Sequence, residues 1–267
     1  MSEEARPAVR LALVVEYDGT NYKGFQYQSE MPTIQGSLEN AIFKTSGEEV
    51  RVRGASRTDA GVHAKGQVVD FMTYSYLSER TWTQALNFHL PWDIKIRSTY
   101  RTSSCFHSRR SALGRTYKYT ILNRDTPSPL LHNQSAWIRT HLDVKAMSEG
   151  AQSLIGIHDF SAFTRPLPDN KSGIRHVKKW EVWREGHLIL IETEANAYML
   201  HQILRTNGIL VEIGRKMAPI SAIHDMINSC IIERRTYNSL PAKGLCLVRV
   251  QYPDFNLRKE TLRYETA

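Results

Sequence analysis

The sequence predicts an α+β protein built from two consecutive halves, each with mostly antiparallel strands and helices on one side. Three observations predict it. Short apolar or alternating runs, such as Leu11–Tyr17 and Glu49–Arg53, recur along the chain and read as strands. Between them lie segments with apolar residues at helical spacing, opened by capping side chains at Thr33, Ser78 and Asp143. The alternation of sheet and helix then starts again after a basic, serine-containing stretch at residues 105–112. That stretch divides the chain into an N-terminal domain, 1–107, and a C-terminal domain, 108–267.

In chain order, Leu11–Tyr17 is a buried strand stopped by the turn Asp18-Gly19-Thr20-Asn21. Thr33 caps a helix whose inner face carries Ile34, Leu38, Ala41 and Ile42. Strands at Glu49–Arg53 and Gly66–Phe71 flank a loop, Ala55–Ala64. Ser78 caps a helix with Trp82, Ala85, Leu86 and His89, ended by Pro91. Lys95–Tyr100 is the next strand. In the second half Tyr117–Leu122 and Ser135–Arg139 are strands, and Asp143 caps a helix carrying Val144, Met147, Ala151, Leu154 and Ile155. Lys179–Trp183 and Leu188–Glu192 form a hairpin across Glu185-Gly186-His187. A helix over 197–211 turns Met199, Leu200, Ile203, Leu204 and Leu210 inward. Another covers 220–231, and Gly244–Tyr252 is the last strand. The final dozen residues, rich in charge, are expected to fray.

A chain of 267 residues, 41% hydrophobic and 23% charged, is long enough and apolar enough to bury a large core. It contains no run of about 18 apolar residues, so no membrane-spanning segment is expected. Its start, Met1–Pro7, has no apolar core of a secretory signal, and a cytoplasmic location is the expectation. Cys105, Cys230 and Cys246 are far apart and read as small core residues, neither a zinc ribbon nor a disulfide framework. The net charge of +8 favours a polyanionic partner. Basic residues cluster at Arg97–Arg101, at His107, Arg109, Arg110, Arg115 and Lys118, and from Arg165 to Lys179. Tyr100, Phe106, Tyr117, Tyr119, Phe163 and Trp180 stand among them, the mixture of cations and stacking rings that RNA contact uses.

The stretch Ser56-Arg57-Thr58-Asp59-Ala60-Gly61-Val62-His63 sets one carboxylate between basic residues on a small-residue turn between two strands. Asp59 with Gly61 reads either as a tight turn, the carboxylate bonding local backbone N–H groups, or as a reactive group displayed on a rigid loop. Histidines at 63, 89, 107 and 158 lack the spacing of a metal site, so no metal is expected, and His63 reads as a hydrogen bonder that organises the loop.

Seven spans taken together resemble the TruA-type tRNA pseudouridine synthases. They are Tyr17–Gln28 (YDGTNYKGFQYQ), Ile34–Glu39 (IQGSLE), Arg57–Ala64 (RTDAGVHA), Arg115–Tyr119 (RTYKY), His158–Phe163 (HDFSAF), Ala195–Arg205 and Gly244–Leu247 (GLCL). They run in order over residues 11–253, and it is the series rather than any one motif that carries the resemblance. It implies two α+β domains related to RNA-recognition folds, their sheets meeting along a central basic cleft. It also implies a homodimer that isomerises uridine to pseudouridine in the anticodon stem-loop of tRNA, at positions 38 to 40, without a cofactor. The chain departs from the family pattern at Phe25 (usually Trp), Ser56 (often Gly), Arg110 (usually aromatic) and Ile203-Leu204-Arg205 (usually Met-Val-Arg).

Isomerisation breaks the bond from ribose C1′ to uracil N1 and joins C1′ to C5, with no net redox change. One ionised carboxylate can start it. By resemblance that group is Asp59, which could attack C1′, attack C6 or remove the C2′ proton. The resemblance pairs Asp59 with Arg205, and an arginine at contact distance would lower its pKa by about 1–3 units. The target base must be flipped out of its stack. Arg57 is the candidate for the vacated place, or for phosphate contact alone. Tyr117 would stack on the uracil, and Leu245 would form an apolar wall or simply be core. Two other readings compete: a non-catalytic RNA-binding module, for which Asp59 is dispensable, and a metal-dependent RNA-cleaving enzyme, which loses activity to a chelator.

Overall fold

In the computed structural model, residues 7–168, 170–228 and 237–253 are described. The apolar run Val9–Tyr17 is β1, pairing antiparallel with β3 (His63–Thr73) on one side and β4 (Ile94–Thr102) on the other. Two helices cover this half. α1 (Ile34–Ser46) begins where Thr33 Oγ1 accepts the Gly36 N–H, and it buries Ile34, Leu38, Ala41 and Ile42 as the spacing predicts. α2 (Glu79–His89) begins where Ser78 Oγ accepts from Thr81 N–H, buries Trp82 and Leu86, and stops before Pro91. The edge-on stack of Trp82 against Phe71, centroids 5.6 Å apart, joins α2 to the sheet.

The strand expected at Glu49–Arg53 is only β2, Arg53–Gly54. The reason is local: Glu39 Oε1 accepts the Val52 N–H at 3.1 Å and the Gln35 side chain donates to the Val52 carbonyl at 3.4 Å. α1 thus takes both backbone groups that a ladder would need.

In the second half, β5 (Gly114–Asn123) pairs with β9 (Leu188–Ala195), β9 with β8 (Ile174–Glu185), and β8 with β7 (Gly156–Asp159), which the sequence reading missed. β6 (Ala136–Ile138) lies parallel to the far end of β5. α3 (Val144–Gln152) is capped by Asp143, whose Oδ1 accepts from Ala146 N–H. Ile155 falls after α3 has ended and is exposed, contrary to expectation. α5 is described over Ala222–Asn228, and the expected extension to 231 lies outside the described residues, as do Cys230 and the last dozen residues. Cys105 is exposed and Cys246 half-buried, so neither described cysteine is the fully buried core residue expected.

The helix expected over 197–211 begins five residues later, as α4 (Gln202–Gly214). Met199 N–H is taken by Gln202 Oε1 at 2.9 Å, and His201 stands at φ +58°, so the chain turns sharply before the helix starts. Met199, Ile203, Leu204 and Leu210 are buried, while Leu200 is exposed on that turn.

The last strand, β10 (Leu245–Gln251), enters between the two halves. It runs antiparallel to β5 and parallel to β3, through Cys246↔His63 and Leu247↔Ala64. The two sheets are thereby one continuous, mainly antiparallel sheet in the order β4-β1-β3-β10-β5-β9-β8-β7. The joint lies immediately after the Asp59 loop.

Candidate active site

The loop between β2 and β3 is fixed by buried side chains rather than by its own backbone. Gln67 on β3 is fully buried; its Oε1 accepts the Ser56 N–H at 3.2 Å and its Nε2 donates to the Ser56 carbonyl at 2.7 Å. Tyr17 OH bonds Thr58 Oγ1 at 2.7 Å, and Phe25 N–H donates to the Thr58 carbonyl at 3.0 Å. Gly61, at φ +78°, closes the turn in a conformation that disfavours other residues. Gly19 matters for a different reason: a Cβ there would collide with the Val62 carbonyl. His63, mostly buried, accepts from Gly19 N–H on Nδ1 at 3.1 Å and turns Nε2 to the Asn133 carbonyl at 2.7 Å, which supports its reading as a loop organiser.

Held this way, the Asp59 carboxylate faces a cavity of 530 Å³ whose walls come from both halves. Gly24 to Gln26, Ala55 to Ala60 and Val62 line one side. Tyr117, Ala197 to Leu204 and Leu245 line the other. Sheet register explains why Tyr117 and Leu245 meet there. Leu245 sits opposite Tyr119 and Leu247 opposite Tyr117, so all four share one face. The Tyr117 ring stands edge-on to Tyr198, centroids 5.4 Å apart, and its hydroxyl bonds Ser56 Oγ at 2.8 Å. Burial pushes the Tyr117 hydroxyl up to about 12, so it stays protonated at neutral pH. The departure Ser56 therefore touches a candidate site residue, a role that no local pattern announced.

A second cavity of 580 Å³ adjoins the first, and Phe25, Gln26, Arg57, Arg109, Arg115 and Ala197 line both. Arg53, Arg110 and His107 also stand in its wall, making it strongly basic. Arg57 is exposed between the two cavities. Arg115 is largely buried and bonds the carbonyls of Ala55, Arg109, Ala112 and Asn196, tying the loop, the domain boundary and the second half together.

Arg205 is where the expectation fails. α4 turns Leu204 to the cavity, and Arg205, one position on, is not in its lining. Among the described residues no ion pair joins Arg205 to Asp59. The side chain that faces Asp59 is His201, Nε2 to Oδ2 3.7 Å, with Arg165 further out. The expected downward shift is reversed as well. Burial pushes the Asp59 carboxyl above the usual carboxylate range, and the His201 imidazole and backbone N–H with Arg165 oppose that shift without cancelling it. An ionised oxygen held in this way is more basic than a surface carboxylate, which suits it to attack carbon or take a proton. His201 had no pattern to mark it beyond histidine's better-than-average tolerance of left-handed backbone.

A family model described as tRNA pseudouridine synthase matches residues 13–109 and 151–253. Three proteins called tRNA pseudouridine synthase A are close over nearly the full length of both chains. That of Pseudoalteromonas atlantica is 39% identical over 92% of this chain and 93% of its own. The Alcanivorax borkumensis protein is 37% identical over 95% of each. The Methylococcus capsulatus protein is 38% identical over 95% of this chain and 94% of its own. A solved Cbf5-Nop10-Gar1 complex aligns with 94% of this chain and 63% of that chain, at 13% identity and a TM-score of 0.34, a superposition too loose to bear on the site.

Proposed function

The chain belongs to the tRNA pseudouridine synthase family, and we propose that its Asp59 cavity isomerises uridine to pseudouridine in the anticodon stem-loop of tRNA, at positions 38 to 40. One observation carries the assignment to this cavity: a single partly buried carboxylate, Asp59, faces Tyr117 and Leu245 across a space that opens onto an arginine-lined cavity. Asp59 is the catalytic group. Tyr117 stacks on the flipped uracil, Leu245 walls its apolar edge, and Arg57, exposed at the mouth, occupies the place the base leaves. Arg205 contacts the substrate from outside the cavity, on the RNA that flanks the flipped nucleotide. The reaction exchanges one bond at C1′ for another with no net redox change, so no cofactor is required.

The protein acts on tRNA in the cytoplasm as a homodimer. Its chain divides at 107/108, a boundary supported by the separate helix layers: α1 packs with α2 and α2 with β4 in one half, and α3 packs with α4 and β8 in the other. No described helix is long and apolar enough to cross a membrane.

Tritium release from tRNA labelled at uridine C5 tests the activity directly, since C5 loses its hydrogen only when it becomes the new glycosidic carbon. Release by the native protein is expected. Bound tRNA that keeps its label would replace the synthase reading with that of a non-catalytic RNA-binding module. RNA affinity should also fall steeply with salt, by roughly 10³–10⁵ between 50 and 200 mM if about six to ten phosphates are contacted. A flat salt titration would remove RNA as the partner.

A further inference from the structure

The turn at the domain boundary is pinned to the first half of the sheet. Ser108 is fully buried; its N–H donates to Asp70 Oδ1 at 2.8 Å and its Oγ donates to the Arg53 carbonyl at 2.7 Å. The Ser111 N–H closes the turn on the His107 carbonyl at 2.9 Å, and the Arg115 guanidinium holds the Arg109 carbonyl at 2.8 Å. With the backbone fixed on both sides, Arg109 and Arg110 stand exposed in the wall of the 580 Å³ cavity.

The cations in that wall are of two kinds. Arg53 is held by Asp70, and Arg115 is committed to backbone carbonyls. Arg57, Arg109 and Arg110 are exposed, and among the described residues no hydrogen bond or ion pair occupies their guanidinium groups. Burial, with Arg53 and Arg110 close by, holds the His107 imidazole below its ordinary range despite Asp70, so the ring is neutral at pH 7 and adds no charge. No Asp or Glu stands among the residues that line this cavity. A wall of one sign concentrates the field on an anion, and the guanidinium fork matches two phosphate oxygens at once. The cavity shares Arg57 and Arg109 with the Asp59 cavity, so an anion held there adjoins a nucleotide placed beside Asp59.

We propose that Arg110 is a substrate-binding residue: with Arg57 and Arg109 it makes a subsite for one RNA backbone phosphate, on the strand that carries the target uridine and next to the flipped nucleotide. The inference rests on the reading of the Asp59 cavity as the uridine site. It gives a role to a residue that departs from the family pattern, in which an aromatic ring usually stands. A ring can stack but cannot neutralise a phosphate, so this chain carries one more charged contact beside the target than the pattern supplies.

The test uses the full chain with Arg110→Gln, Arg110→Phe and Arg110→Lys, and tRNA in which single phosphates are replaced by neutral methylphosphonates. The quantity read is affinity, since substrate and product carry the same phosphates. In Arg110→Gln affinity should fall about 5–10-fold near 0.1 M salt. In both the Gln and the Phe variants the slope of log K against log salt should flatten by about one. Arg110→Lys should keep the native slope, because the charge remains. A methylphosphonate at one of the two phosphates flanking the target uridine should weaken binding to the native protein by about 5–10-fold, and to Arg110→Gln by less than about twofold, because the contact is already gone. Unchanged salt slopes, or equal losses in native and variant protein at both flanking phosphates, would overturn the proposal. Coupling in a protein that leaves tRNA uridines unmodified would uphold the subsite and sink the functional reading. Turnover with equal losses would sink the subsite alone.

Discussion

Asp59→Asn should abolish isomerisation, by about 10⁴-fold or more, while RNA affinity stays within a few-fold. The amide keeps the shape of the side chain, but it offers neither a nucleophilic oxygen nor a base. The loop should survive, because Gln67, Tyr17 and Phe25 hold Ser56 and Thr58 without help from residue 59. Stability should move the other way from activity. Burial raises the Asp59 pKa in the folded protein, so its contribution to stability is present below the ordinary carboxylate range and is lost as pH rises through the folded value. At neutral pH the charge is therefore a burden on the fold, and Asp59→Asn should melt at or slightly above the native temperature. Tritium release, RNA titration and thermal melting at pH 7 read the three quantities. If affinity collapsed with activity, Asp59 would be organising the fold and not the chemistry.

Asp70→Ala should be the most damaging single change to the fold outside the site, costing about 3 kcal/mol. Its carboxylate is fully buried on β3 and meets Arg10 Nη1 at 2.7 Å, the Arg53 guanidinium and the Ser108 N–H at 2.8 Å. Burial alone would raise its pKa, but the Arg53 hydrogen bond and those from Ser108 outweigh it and hold the carboxyl below its usual range. Removing it leaves two guanidinium groups without their carboxylate and a buried N–H without an acceptor. The partial exposure of both arginines keeps the cost at the low end for a broken buried pair. For a chain of this size the melting temperature should drop by roughly 6–12 °C. The sign with pH follows from the lowered value. Asp70 stabilises above the unfolded carboxylate pKa of about 3.9, and that contribution is lost as pH falls through the lower folded value. Native and Asp70→Ala proteins should therefore converge in stability in strong acid. Equal melting at pH 7 would mean that the cluster adds nothing. Because Arg53 opens β2 and Ser108 lies at the domain boundary, the substitution should also loosen the Asp59 loop.

Local chemistry accounts for what could be read in the chain. Thr33, Ser78 and Asp143 cap their helices because each needs only an N–H three residues away. The inner face of α1 follows from the 3.6-residue period. Asp59 could be singled out because its neighbours, the Gly61 turn and the flanking strands are all within a few residues. Where a long-range contact competed, the reading failed. Val52 looks like a strand residue until Glu39 and Gln35 take its backbone, and residues 197–201 look helical until Gln202 and Thr164 hold them in a turn.

The sequence by itself determined the α+β class, the capped helices, the loop that carries Asp59 and, through the order of its motifs, the family. Only the tertiary structure decided what surrounds Asp59. β10 enters between β3 and β5 and brings Leu245 beside Tyr117; the turn before α4 brings His201 to the carboxylate and leaves Arg205 outside. The physical reason is the range of the forces involved. Caps, turns and amphipathic faces are set by neighbours in the chain, whereas desolvation and charge pairing depend on which distant segments close over a group. Those segments also set the direction of the Asp59 shift, upward through burial rather than downward through an arginine.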